Sequence, residues 1–287
     1  MPGSRMRSMR ITRMSSATIL REGQAMRAFA FVSAISLVAL AGPGEAAPQR
    51  AASLNLCTDE LLLILAAPGQ IASVTHLAQK EAETPLWRQA RRHRTNDGSL
   101  VSVAGLRPDL VLTMGGGARD RVRIAERLGI KVLDLPFPQT ISDVEKSIVE
   151  TASALGRQDR ARPLLAAIAA LKHNAPPPAH DSVWLGGGGR SVSPASLAGQ
   201  WMALAGLRQR ALPGERLSLE QLLVAPPAVL LRSDYRAGQY SGEQRWLSHP
   251  LATGGGKSRT IVTDGRLWTC MGPLLIDEVR RLKAIAR

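Results

Sequence analysis

Short apolar runs bounded by glycine, proline or asparagine alternate with segments of helical spacing from Ala51 onward. AASLNL (51–56), IASVT (71–75), DLVLTM (109–114) and KVLDL (131–135) are short apolar runs that read as strands. DELLLILAA (59–67), LVSVAGL (100–106) and DRVRIAERLG (120–129) fall between or after them with helical character. Thr58 is the expected N-cap of the first helix, with Asp59 and Glu60 in its first turn suiting the positive helix end. Residues 141–172 are helical by periodicity with a break near LGRQDRARP, and HNAPPPAHD then ends all regular structure. Pro163 is expected in the first turn of the second helix, or at a kink.

The alternation then repeats. SVWLGG (182–187), AVLLR (228–232) and RTIVTD (259–264) are strands, while SLAGQWMALAGL (196–207), SLEQLLVA (218–225), EQRWLSH (243–249) and PLLIDEVRRLKAIA (273–286) are helical. Strand and helix in strict alternation predict parallel sheets covered by helices. The expected fold is therefore α/β, with two Rossmann-like lobes joined by one long connector helix and a ligand cleft between them. The expected divisions are a signal peptide and unstructured N-terminus over 1–46, a first lobe over 47–156, a connector helix and linker over 157–178, and a second lobe over 179–287.

The N-terminal pattern bears on compartment. Met26-Arg27 precede the apolar run AFAFVSAISLVALA (28–41), and Gly44 and Ala46 suit cleavage after Ala46. This run is short of the ~20 residues of a membrane span, so an export signal is the reading, with Met26 an alternative start. No cysteine stands at the cleavage point to carry a lipid. The net charge is +14, and six arginines against two glutamates in the first 46 residues leave about +10 for the rest. No nucleic-acid motif accompanies it. The basic run RQARRHR (88–94) reads as a solvated helix face, with a ligand-steering patch as the alternative.

Ligands of open α/β sheets bind outside the carboxyl ends of the strands. That rule places LCTD (56–59), THL (75–77), MGGG (114–117), LGGGGR (185–190), RSDY (232–235) and WTCMG (268–272) around the cleft. The candidate ligand-binding residues are accordingly Cys57, Thr58, His76, Met114, Gly115, Trp184, Arg232, Tyr235, Trp268, Cys270 and Met271. Trp87 is placed at the rim and Trp201, mid-helix, in the core; Trp268 suits either a cleft wall or the core. The two cysteines admit three readings: a cross-cleft disulfide, thiolate ligation of a soft metal centre, or two inert buried thiols. The disulfide ranks first because an exported chain retains only these two.

Catalytic patterns are missing from the sequence. No G-x-S-x-G elbow occurs, and the five histidines show no metal-ligand spacing. LATGGGKS has leucine where a phosphate loop needs its first glycine, and MGGGARDR lacks a dinucleotide fingerprint. No catalytic residue, protein-held metal or resident cofactor is expected.

SLNLCTDELLL, LRPDLVL, LGIKVLDLP, the connector helix and WTCMGPLLIDEVRRL together resemble the periplasmic solute-binding proteins of metal-chelate ABC importers, over roughly residues 51–287. The resemblance implies two α/β lobes bridged by a rigid helix and small closure on a cobalamin, ferric siderophore or haem, whose metal would be cobalt or iron. It also implies a monomer that delivers this ligand to an inner-membrane ABC permease by one glutamate per lobe. Glu220 matches the second-lobe glutamate, while Val101 stands in the first-lobe position and Asp97 is its nearest acid. Two alternatives belong to other classes: an exported redox or chelate-modifying enzyme using Cys57 and Cys270, and a sensor or scaffold without transport docking.

Overall fold

The computed structural model describes residues 47–116, 119–235, 241–253 and 256–286. The apolar leader and its cleavage motif lie outside them, as does Gly117 of the MGGG loop. The first half runs β1 (Ala51–Ser53), α1 (Leu56–Leu65), β2 (Ile71–Thr75), α2 (Trp87–Ala90), β3 (Thr95–Asn96), α3 (Leu100–Ala104), β4 (Leu110–Met114), α4 (Arg119–Arg127) and β5 (Lys131–Leu135). Two helices follow, α5 (Ile141–Leu155) and α6 (Gln158–His173). The second half runs β6 (His180–Leu185), α7 (Leu197–Leu204), β7 (Leu207–Gln209), α8 (Leu219–Val224), β8 (Val229–Ser233), α9 (Gly242–Leu247), β9 (Arg259–Thr263), α10 (Leu267–Cys270) and α11 (Leu275–Ala286).

All strand pairs are parallel. The first sheet has the order β3-β2-β1-β4-β5 and the second β7-β6-β8-β9. In each sheet the first strand in the chain lies inside the order, so the winding direction reverses there. The reversals fall between β1 and β4 and between β6 and β8, where a crevice opens at the carboxyl ends. The expected α/β architecture with two sheets is thus present. The strands β3 and β7 were not anticipated, because two or three residues are too few to show a period of two.

Two boundaries differ from expectation in ways that matter for the site. Asn55, not Thr58, caps α1: its side chain accepts the Thr58 N–H at 2.9 Å, and the helix begins at Leu56. Asparagine is among the strongest N-caps, but here it sits within an apolar run that disguises the end of the strand. Cys57 therefore lies in the first helical turn rather than at a strand end. Farther on, α5 begins with a capping box between Thr140 and Asp143 and stops at Gly156, whose φ of 65° no β-carbon-bearing residue adopts cheaply. Pro163 lies inside α6, beyond its first turn.

The chain between the two sheets is α5 and α6, and both are packed into a core that the two halves share. One hydrophobic cluster includes Leu62 and Leu112 of the first half, Ile148 and Ile168 of the intervening helices, and Trp201, Met202 and Leu282 of the second. Each of these is shut off from water, with a relative exposure of 0%. The lobes are therefore two in sheet topology but joined in packing. Separate smaller clusters line the outer face of each sheet, around Val111 in one and Leu230 in the other.

Candidate functional site

Among the described residues, four links cross between the carboxyl ends of the two sheets. Cys57 in the first turn of α1 and Cys270 at the end of α10 form a disulfide, with Cα atoms 5.2 Å apart and 213 residues between them in sequence. The first of the three readings of these cysteines therefore holds, and no thiolate remains here to ligate a metal. On one side of the bridge, the Tyr235 hydroxyl after β8 donates to Glu83 Oε2 after β2 at 2.7 Å. Close by in sequence, Arg266 Nη1 donates to the Glu81 carbonyl at 2.8 Å. The fourth link uses Gln200 of α7, which accepts from the Ile141 N–H at 3.2 Å and donates to the Gln139 carbonyl at 3.1 Å.

A crevice beside the disulfide is lined by Cys57, Glu60, Met114, Ser147, Cys270 and Pro273, among others. It holds about 20 Å³, the room of a single water and far below any chelate. Anything larger than a water must therefore part the Tyr235 and Arg266 links or sit on the rim outside them. Met114, Gly115 and Phe137 form an apolar shelf at the end of β4 and β5. Gly115 has φ of 116°, and a β-carbon there would stand 2.6 Å from the Phe137 ring, so only glycine allows the ring to lie across the strand end. Phe137 is 57% exposed, an unusual placement for one of only three phenylalanines in the chain.

The second lobe contributes a tryptophan pair. Trp184 and Trp268 stand with ring centroids 6.2 Å apart and planes tilted by 55°, within the range of favourable aromatic contact. Trp268 is 4% exposed and donates its indole N–H to Thr263 Oγ1 at 2.8 Å, so it lies in the core beneath the cleft surface. Trp184 is half-buried, with its indole nitrogen unpartnered. Arg232 is likewise half-buried with an unpartnered Nε. An unsatisfied buried donor costs about 1–3 kcal/mol, so each is a point at which a ligand acceptor would gain. Met271 has φ of 50°, and its carbonyl accepts from the Trp201 indole at 3.0 Å, fixing the chain just after Cys270.

Not every candidate reaches this surface. The Thr58 side chain is fully buried, its hydroxyl 2.8 Å from Ser53 Oγ, and it serves the α1–β1 junction. His76 is exposed after β2. Two acids that the sequence presents as ordinary first-turn residues are buried instead. Asp59 accepts the Thr75 N–H at 2.9 Å and the Thr75 hydroxyl at 2.5 Å. Burial outweighs those bonds and raises its pKa to about 6. Glu60, whose one partner is the Thr84 hydroxyl at 2.9 Å, is raised to about 8 by burial, with the neighbouring Asp59 charge adding to it. Glu60 is thus a neutral acid at pH 7, set in the wall of the crevice beside the disulfide. Glu60, Glu83, Phe137, Gln200 and Arg266 were missed from the sequence. Only Phe137, between two prolines after a strand, left a signal there.

Two short helices stand at equivalent places in the lobes, each just before a strand. Ser99 caps α3 and Ser218 caps α8. Val101 and Glu220 are both the second residue of their helix, and both are exposed, Val101 by 86%. The carboxyl of Glu220 is held below its ordinary range by the Ser218 hydroxyl and its own backbone N–H. Asp97, two residues before the α3 cap, is lowered to about 2 by Ser99 and Ser102. Leu223 and Val224 extend the α8 surface, 68% and 82% exposed.

Among the described residues no group of three or more His, Cys, Asp or Glu is placed to hold a metal ion. The geometry is that of two parallel sheets bridged at their carboxyl ends. It agrees with solved structures of similar fold, each at low identity. The periplasmic heme-binding protein BhuT in complex with two hemes is 20% identical, with a TM-score of 0.60, and the match covers 83% of this chain and 99% of that one. The periplasmic vitamin B12 binding protein BtuF of Vibrio cholerae is 15% identical at a TM-score of 0.56, covering 83% and 96%. The siderophore binding protein BauB, bound to a complex of two acinetobactin molecules and ferric iron, is 16% identical at 0.62, covering 83% and 93%. No curated protein sequence matches the chain. The family model described as periplasmic binding protein matches residues 52–254, more than half of the sequence, and this chain therefore belongs to the periplasmic binding protein family.

Proposed function

We propose that the protein captures a metal-chelate nutrient in the periplasm and delivers it to an inner-membrane ABC permease, after export directed by its N-terminal segment. The observation that carries the reading is the pair of parallel sheets whose carboxyl ends meet across the Cys57–Cys270 bridge. The similar structures, a heme-binding, a vitamin B12 binding and a siderophore binding protein, support a cobalt or iron chelate as the class. The role is binding and release by a monomer. Met114, Gly115 and Phe137 offer one apolar wall, Trp184 the opposite one, and Arg232 and Tyr235 supply polar anchors for carboxylate or catecholate oxygens. Thr58 and Trp268 act from beneath, by holding α1 and the β9 end in place.

Docking is assigned to the capped ends of α3 and α8. Glu220 presents a charge that its cap keeps ionised, and Leu223 and Val224 lie beside it. Val101 makes the first-lobe contact apolar, with Asp97 as its nearest acid, so the two lobes engage the permease differently.

Titration of intrinsic tryptophan fluorescence with haemin, cyanocobalamin and a ferric siderophore tests the ligand class. Saturable quenching by one of the three is the expected result, weakened in Trp184→Phe. If none quenches beyond the inner-filter correction, the proposal is wrong.

A further inference from the structure

A second cavity, of about 900 Å³, opens on the first lobe far from the cleft in topology. Arg50 precedes β1, Ile71 opens β2, Arg94 precedes β3 and Leu106 lies before β4, so the cavity sits at the amino ends of the strands, whereas the cleft sits at their carboxyl ends. Four arginines line it, Arg50, Arg88, Arg92 and Arg94, together with His93 and Gln89. No aspartate or glutamate is among the lining residues. None of the four arginines forms a salt bridge among the described residues, although eight such bridges occur elsewhere.

The walls are held in place. Arg50 donates through Nε and Nη2 to the Leu106 carbonyl at 3.0 and 2.8 Å, leaving Nη1 available. Arg88 lies 4.3 Å over the Trp87 ring. Gln89 anchors α2 by donating to the Leu63 carbonyl at 2.7 Å. Uncompensated guanidinium groups around a hollow focus positive potential into it, and their planar forks match phosphate and carboxylate oxygens. His93 reports the same field: burial, then the Arg92 charge, lowers its pKa. The basic run at 88–94 is thus not simply a solvated helix face, because it borders a concave site.

We propose that this cavity is a second binding site, for a compact multiply charged anion bearing phosphate or carboxylate groups. Its volume suits a small molecule, and its arginines line a hollow, where a membrane surface would need them to project on a plane. The proposal is independent of what the cleft binds.

Calorimetric titration with inorganic pyrophosphate and with citrate, at about 0.1 M salt where charges more than roughly 10 Å apart are screened, tests it. Arg92 and Arg94 are exposed and make no side-chain hydrogen bond among the described residues, so R92Q/R94Q should leave the structure intact. R160Q/R162Q, on exposed positions of α6, removes the same net charge elsewhere. The expected result is one-site binding of at least one anion, weakened about tenfold or more by R92Q/R94Q and less than about twofold by the control pair. The His93 imidazole, followed by NMR, should titrate at higher pH when the anion is bound. Absence of saturable binding by both anions, or equal weakening in the two double variants, overturns the proposal.

Discussion

Glu60 stands in the wall of the crevice beside the disulfide with its carboxyl shut off from water and one hydroxyl, from Thr84, to satisfy it. Asp59 next to it is better supplied, with two bonds from Thr75, yet is also raised by burial. A carboxyl that holds its proton more tightly folded than unfolded makes the fold lose stability as pH rises. For Glu60 the loss runs from its ordinary value of 4.5 up to about 8, and for Asp59 from 3.8 to about 6. Glu60→Gln keeps an acceptor for Thr84 and cannot ionise. Its thermal midpoint should match wild type near pH 4.5 and exceed it by pH 8.5, by an amount on the order of 5 kcal/mol. Equal curves across that range would mean that Glu60 is charged in the fold. Neither acid is legible as buried from the chain. An acidic pair in a helix first turn is what the helix dipole favours on any surface, and only the packing of α1 onto Thr75, Thr84 and the disulfide distinguishes this one.

Among elements, the short capped helices α3 and α8 carry the docking reading. Ser218→Ala removes the bond to the Gln221 N–H and the hydroxyl beside Glu220, and should cost about 1 kcal/mol in urea unfolding. Glu220→Arg should abolish stimulation of the cognate permease's ATPase in proteoliposomes while leaving chelate binding unchanged. If stimulation survives, α8 is not the contact. IASVT and KVLDL are legible at the observed bounds because each is a five-residue run stopped by a change of pattern. β3 and β7 have too few residues to show a period, and the start of α1 is hidden in the sequence because Leu56 extends the apolar run past the cap. Number and compartment rank the cysteine pairing first of three readings, and the structure selects it.

At the scale of the whole molecule, the two sheets share one core through α1, α5, α6, α7 and α11. Trp201→Ala opens that core where both halves meet and removes the bond to Met271, at a cost of about 3–5 kcal/mol. Both halves should then unfold together, in a single calorimetric transition at a lower midpoint; two separated transitions would show independent lobes. The disulfide closes a span of 213 residues. Cys57→Ser with Cys270→Ser should therefore lower stability by about 3–5 kcal/mol in denaturant titration. That the halves share a core could not be read from periodicity, since an apolar helix face looks the same whether its partner is its own sheet or another lobe.

The protein is proposed to capture a metal chelate in the cleft between the sheets. Native mass spectrometry of the protein incubated with haemin, cyanocobalamin and ferric siderophores reports it directly. A charge-state series shifted by the mass of one of these ligands at a defined stoichiometry, and diminished in Trp184→Phe, is the predicted outcome. Spectra that show only the unliganded mass with all three classes would contradict it.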